Sequence, residues 1–94
     1  MSIKVYAKHG CPFCDKLDDL MHEYDIKHTK YYPSTPKQIS DLKEVSKMNT
    51  FPMIFIGPEC VGGYTDFLHL LMTNTFEEKL KAHNINDINV PFLF

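Results

Sequence analysis

Ile3-Lys4-Val5-Tyr6-Ala7, running through Lys8-His9-Gly10 into Cys11-Pro12-Phe13-Cys14, is the stretch on which the fold turns. Its first five residues make an apolar, strand-like run. The residues that follow place apolar groups at Leu17, Leu20, Met21 and Tyr24, the spacing of one face of a helix. Two thiols separated by two residues therefore stand where a strand turns into a helix. There they can form, break and exchange a disulfide, and the same spacing also serves metal sites.

Size and charge narrow the reading. Ninety-four residues are enough for one small domain that buries a core without structural disulfides. A formal net charge of -2 provides no basic field for a nucleic acid. No apolar run reaches the roughly eighteen residues of a membrane span, and Met1-Ser2-Ile3-Lys4 lacks the apolar centre of a secretion signal. These points lead to the expectation of a cytoplasmic protein with neither nucleic-acid nor membrane partners. Three cysteines, an odd number, do not make a disulfide framework, and one close pair in a reducing compartment points to catalysis or metal binding. The chain has no arginine and only two alanines, Ala7 and Ala82, beside many Lys, Ile and Asn. That bias hints at an AT-rich genome, and were the source a virus the cytoplasm would be its host's.

Further along, Ile26 to Tyr32 reads as a second strand closed by Pro33. Thr35-Pro36-Lys37-Gln38 carries a Thr N-cap, a proline at the first helical position and a Gln placed to complete a capping box. Ile39, Leu42, Val45 and Met48 are expected to be the buried stripe of that helix. Thr50-Phe51-Pro52 leads into the apolar run Met53-Ile54-Phe55-Ile56, Gly57-Pro58-Glu59 is a turn, and Cys60 to Tyr64 is a short returning strand. Thr65 or Asp66 is expected to cap a third helix bearing Phe67, Leu70 and Leu71, and Thr75-Phe76-Glu77-Glu78 a box opening a fourth. The fold class is α/β in the order βαβαββαα: a four-stranded mixed sheet flanked by helices, its first two strands parallel and its last two a hairpin.

Lys8 to Cys14, Thr50-Phe51-Pro52 and Gly62-Gly63-Tyr64-Thr65-Asp66-Phe67 resemble, in order and spacing, the three signature segments of the glutaredoxins. The resemblance covers about residues 3 to 82 of a single domain, and an apolar tail, 84 to 94, extends beyond the usual compact family fold. Phe13 stands where many members have Tyr.

The resemblance implies a dithiol enzyme that reduces protein disulfides and glutathione mixed disulfides. Glutathione would be its co-substrate, with no tightly bound cofactor, no metal and a monomeric state, and ribonucleotide reductase would be a candidate client. Cys11 is then the nucleophile: at a helix N-terminus free N–H groups and the macrodipole favour thiolate, with Lys8 adding positive charge. An exposed Cys11 and a recessed, resolving Cys14 are expected, the alternative being structural or metal-bound cysteines. Lys8, Phe13, Gln38, Phe51, Pro52, Gly63, Thr65 and Asp66 are the implied glutathione contacts. The Phe51–Pro52 bond is expected to be cis, as in the family, against an ordinary trans proline opening a strand. Thr65 and Asp66 are either N-cap residues or receivers of the γ-glutamyl carboxylate and ammonium, or both. Gln38 either meets the glycine carboxylate or closes its capping box, and Tyr64 belongs to the groove or to the core. Cys60 is a tolerated strand residue or a modifiable thiol, and His9 a solvated loop residue or a cation beside the thiolate. Two rival readings are a thioredoxin-like carrier reduced by a flavoprotein, and an iron-sulfur or other metal-binding module. Pro12 speaks against the second, because cluster-binding relatives carry a smaller residue there.

Overall fold

Alternation decides the first strand: in β1 (Ile3–Tyr6) Ile3 and Val5 are buried on one side while Lys4 is exposed on the other. A computed structural model describes residues 2–83, so the expected tail at 84–94 lies outside the described residues. After β1 come α1 (Pro12–Glu23), β2 (Thr29–Tyr31), α2 (Pro36–Ser46), β3 (Met53–Ile56), β4 (Glu59–Gly62), α3 (Tyr64–Met72) and α4 (Thr75–Ala82). The order is the expected βαβαββαα.

The sheet runs β2-β1-β3-β4. β1 and β2 are parallel, with Tyr6 opposite Tyr31, whereas β3 is antiparallel to both β1 and β4. All four residues of β3 are buried, as a central strand covered on both faces requires. Ile3, Val5, Ile54 and Ile56 point into the main core. There they meet Leu17, Leu20 and Met21 of α1, Phe67, Leu70 and Leu71 of α3, and Phe76 and Leu80 of α4. Among the described residues no helix is long and apolar enough to cross a membrane.

The other face of the sheet is covered less completely, and the buried stripe expected for α2 does not form. Ile39 and Leu42 are only half-buried, Val45 is 67% exposed, and the one buried residue of the helix is Ser46. The helix stands off the sheet and leaves an open space of about 480 Å³ lined by Tyr6, Tyr31, Tyr32, Phe55, Leu42 and Val45. Lys47, in the left-handed conformation at φ 61°, ends α2 before Met48, which is therefore not part of its stripe.

Three smaller expectations also change. β2 starts at Thr29, because Ile26 is drawn into the core and its N–H donates to the Met21 carbonyl in the turn that leaves α1. β4 stops at Gly62, and the N-cap of α3 is Gly63 rather than Thr65 or Asp66. Asp66 instead reaches back from the third helical position, its carboxylate accepting the Gly63 N–H at 3.0 Å. Glycine has no side chain to return that bond, so only half of a capping box forms. At α4 the N-cap is Asn74, and Thr75 lies inside the helix with its hydroxyl 2.8 Å from that of Thr73, so no box forms there.

Candidate active site

Cys11 is the N-cap of α1. Its backbone is extended, its carbonyl accepts the Asp15 N–H at 3.1 Å, and its sulfur accepts the Cys14 N–H at 3.2 Å. Pro12 fits the first turn, where no N–H is needed. A free N–H of the helix start thus points at the sulfur, and with the helix dipole this favours thiolate over thiol. Cys11 and Cys14, with Cα atoms 5.2 Å apart, are joined as a disulfide.

The expected exposure of Cys11 is not observed in this oxidised state: Cys11 is 5% and Cys14 2% exposed. Both sulfurs sit with Ala7 in a small apolar cluster covered by Phe51, whose carbonyl oxygen lies 3.6 Å from the Cys11 sulfur. The Phe51–Pro52 bond is cis, as expected.

Beside the dithiol lies a cleft of about 290 Å³. Six predicted residues line it together: Phe13, Phe51, Pro52, Gly63, Thr65 and Asp66. Three more that the sequence reading did not place among the contacts, Met48, Thr50 and Tyr64, line it as well. Thr50 opens the Thr50-Phe51-Pro52 segment and Met48 stands two residues before it, so proximity in sequence was the available signal. Tyr64 does both things weighed for it, packing against the core and facing the cleft, where its ring is 6.0 Å from that of Phe13. Phe13 is half-exposed, with the Lys16 ammonium 5.0 Å over its ring.

Lys8 and Gln38 do not line this cleft. Lys8 is exposed in the loop before Cys11 and, among the described residues, makes no ion pair. Gln38 closes the capping box with Thr35: its Oε1 accepts the Ser34 and Thr35 N–H groups at 3.0 and 3.3 Å, and the Thr35 hydroxyl accepts its own N–H at 3.2 Å. Its side chain borders the space between α2 and the sheet.

Gly62 and Gly63 bring the chain to the cleft for different reasons. Gly62 has φ 111°, and a Cβ there would stand 2.6 Å from the Asp66 Cγ, so no other residue fits without moving that carboxylate. At Gly63 a Cβ would lie 3.4 Å from the Pro52 carbonyl oxygen and would narrow the passage between the two walls.

Cys60, half-buried with its sulfur 3.8 Å from that of Met48, is a different kind of cysteine. Burial pushes its thiol up, and the Asp66 and Glu59 charges add to this against a lowering bond from the Gly62 backbone. Among the described residues no group of three or more His, Cys, Asp or Glu side chains is placed to hold a metal.

The comparisons with known proteins agree with this geometry. The family model Glutaredoxin matches residues 3–61. The chain is 34% identical over 65 residues to the hybrid peroxiredoxin hyPrx5 of Haemophilus influenzae, a match covering 69% of this chain but only 27% of that protein. It is also 34% identical over 71 residues to glutaredoxin-1 of Sus scrofa, covering 68% and 67% of the two chains. The crystal structure of the buckwheat glutaredoxin–glutathione complex superposes with a TM-score of 0.75 at 16% identity, over 89% of this chain and 80% of that one.

Proposed function

The chain belongs to the glutaredoxin family, a thiol-disulfide oxidoreductase built on Cys11 and Cys14, and from that premise we propose that glutathione is its electron source. The observation that carries the proposal is the cleft itself. One of its walls carries the Phe51–Pro52 backbone and the other the N-terminus of α3, next to the dithiol that Phe51 covers, and its volume suits a short peptide.

In this reading the Cys11 thiolate attacks the glutathione sulfur of a mixed disulfide and the client's thiolate leaves. A glutathione thiolate then attacks the glutathione sulfur bound to Cys11, which forms oxidised glutathione and returns the Cys11 thiolate. On a protein disulfide, Cys11 first forms a mixed disulfide with the client. Cys14 attacks the Cys11 sulfur, the reduced client leaves, and two glutathiones reduce the Cys11–Cys14 bond. A lowered Cys11 pKa serves both halves, supplying thiolate for attack and a good leaving group afterwards.

The tripeptide pairs with the Phe51 backbone as an added strand. Its γ-glutamyl carboxylate meets the free N–H groups at Thr65 and Asp66, and the Asp66 carboxylate takes the ammonium. Phe13 flanks the groove, Gly63 leaves room for the ligand backbone, and Lys8 and the amide nitrogen of Gln38 reach for the glycine carboxylate. Ribonucleotide reductase is a candidate client, and a monomer in the cytoplasm the expected setting.

The test is glutathione-dependent reduction of a small glutathione mixed disulfide by wild type, Cys11→Ser and Cys14→Ser. Wild type and Cys14→Ser are expected to turn over and Cys11→Ser to be inactive. Activity in Cys11→Ser sinks the mechanism, and reduction by a flavoprotein reductase but not by glutathione moves the protein to the thioredoxin-like alternative.

A further inference from the structure

The loop Lys8-His9-Gly10 joins β1 to the nucleophile, and little in its own chemistry holds it. Gly10 has φ 71°, and a side chain there would meet nothing within 4 Å. Lys8, His9 and Gly10 are all exposed. At its start, the Ala7 N–H donates to the Tyr31 carbonyl at 2.9 Å, so the loop leaves the sheet alongside the end of β2. There the His9 ring lies flat on the Tyr32 ring, with centroids 4.3 Å apart and planes 1° from parallel. Tyr32 is 43% exposed, so core packing does not fix its ring. Lys30 does: its ammonium lies 5.1 Å over the Tyr32 ring and 2.6 Å from the Asp18 carboxylate on α1. One contact follows another from α1 to Asp18, Lys30, Tyr32 and His9, and the last of these stands between Lys8 and the residue before Cys11.

We propose that Tyr32 is a positioning residue for the reaction: its ring is the platform on which His9 stacks, which holds the Lys8–Gly10 loop in register with the helix that carries the dithiol. The functional consequence rests on the reading of glutathione as substrate, with Lys8 as one of its contacts. Cys11 itself is held by α1 through the Asp15 and Cys14 N–H bonds. Loss of the stack therefore loosens the Lys8 side of the site and weakens substrate binding more than it slows sulfur exchange.

The test compares wild type, His9→Ala, Tyr32→Ala, Tyr32→Phe and the His9→Ala/Tyr32→Ala double variant. Each is measured by amide hydrogen exchange at residues 8 to 10 and by KM and kcat for a glutathione mixed disulfide. Tyr32→Ala is expected to raise KM about fivefold, the worth of one aromatic pair, with kcat within about twofold, and to speed exchange of the loop amides. His9→Ala should match it and the double variant should be no worse, because both remove the same contact. Tyr32→Phe, which keeps the ring, should behave as wild type. Unchanged loop exchange, losses that add in the double variant, or a Tyr32→Phe as impaired as Tyr32→Ala overturns the proposal. If wild type shows no glutathione-dependent turnover, the reading of the substrate fails, while the exchange data still decide whether Tyr32 holds the loop.

Discussion

Cys11 and Cys60 differ in what surrounds the sulfur. Cys11 receives an N–H from the first turn of α1, whereas burial and two carboxylates hold Cys60 as a thiol. Only the thiolate reacts with an alkylating agent. In the reduced protein at pH 7, iodoacetamide should label Cys11 first and Cys60 about tenfold more slowly or worse, as read by mass spectrometry of the adducts. Cys60→Ser should leave turnover unchanged, and faster labelling at Cys60 would contradict this account. Gly62 is the other residue whose identity is forced. Its φ of 111° and the neighbouring Asp66 carboxylate leave no place for a Cβ. Gly62→Ala should lower stability by about 1–3 kcal/mol and raise KM, since the displaced carboxylate is the one expected to bind the ligand ammonium. A melt and an activity assay on the same variant check both halves.

At the scale of elements, helix starts place the functional groups. α1 is capped by the nucleophile's own sulfur, α2 by a complete Thr35–Gln38 box, and α3 by a glycine with help from Asp66. These caps separate stability from function. Thr35→Ala should cost about 1 kcal/mol in a urea titration and leave KM within error. Gln38→Ala should show the same loss together with a higher KM if, as proposed, its amide nitrogen meets the glycine carboxylate. An equal KM for the two variants would reduce Gln38 to a cap. The Thr35 box was legible in the sequence because four adjacent residues make it. The Gly63 cap was not, because glycine offers no side-chain signal and the bond that marks it comes from three residues ahead.

Among the described residues the main core and a few ties across its edge hold the molecule together. Phe67, fully buried, packs edge-on against Phe76 at 5.4 Å between the sheet and two helices. Phe67→Ala should cost about 3–5 kcal/mol, a large share of the roughly 5–15 kcal/mol available to a small domain, and should lower Tm sharply. Glu59 at the start of β4 joins Lys79 and His83 at the end of α4. Hydrogen bonds from Lys79 and then His83 hold its carboxyl below the ordinary 4.5 against a smaller opposing effect of burial. A depressed carboxyl pKa contributes stability that is present above the unfolded value and lost as pH falls through the folded one. The Tm of wild type should therefore drop below about pH 4.5 more steeply than that of Glu59→Gln, and parallel curves would assign the tie no role. The dithiol on a strand-to-helix junction, the order of elements, and the core faces of α1 and α3 were readable from the sequence, since each is a matter of local spacing. Tertiary structure alone decided that α2 stands off the sheet with Val45 exposed, that β2 begins only at Thr29, that Phe51 covers the disulfide, and that His9 stacks on Tyr32. Each of these depends on which distant segments share a face, and the approach of residues far apart in the chain is not encoded in the period of any one of them.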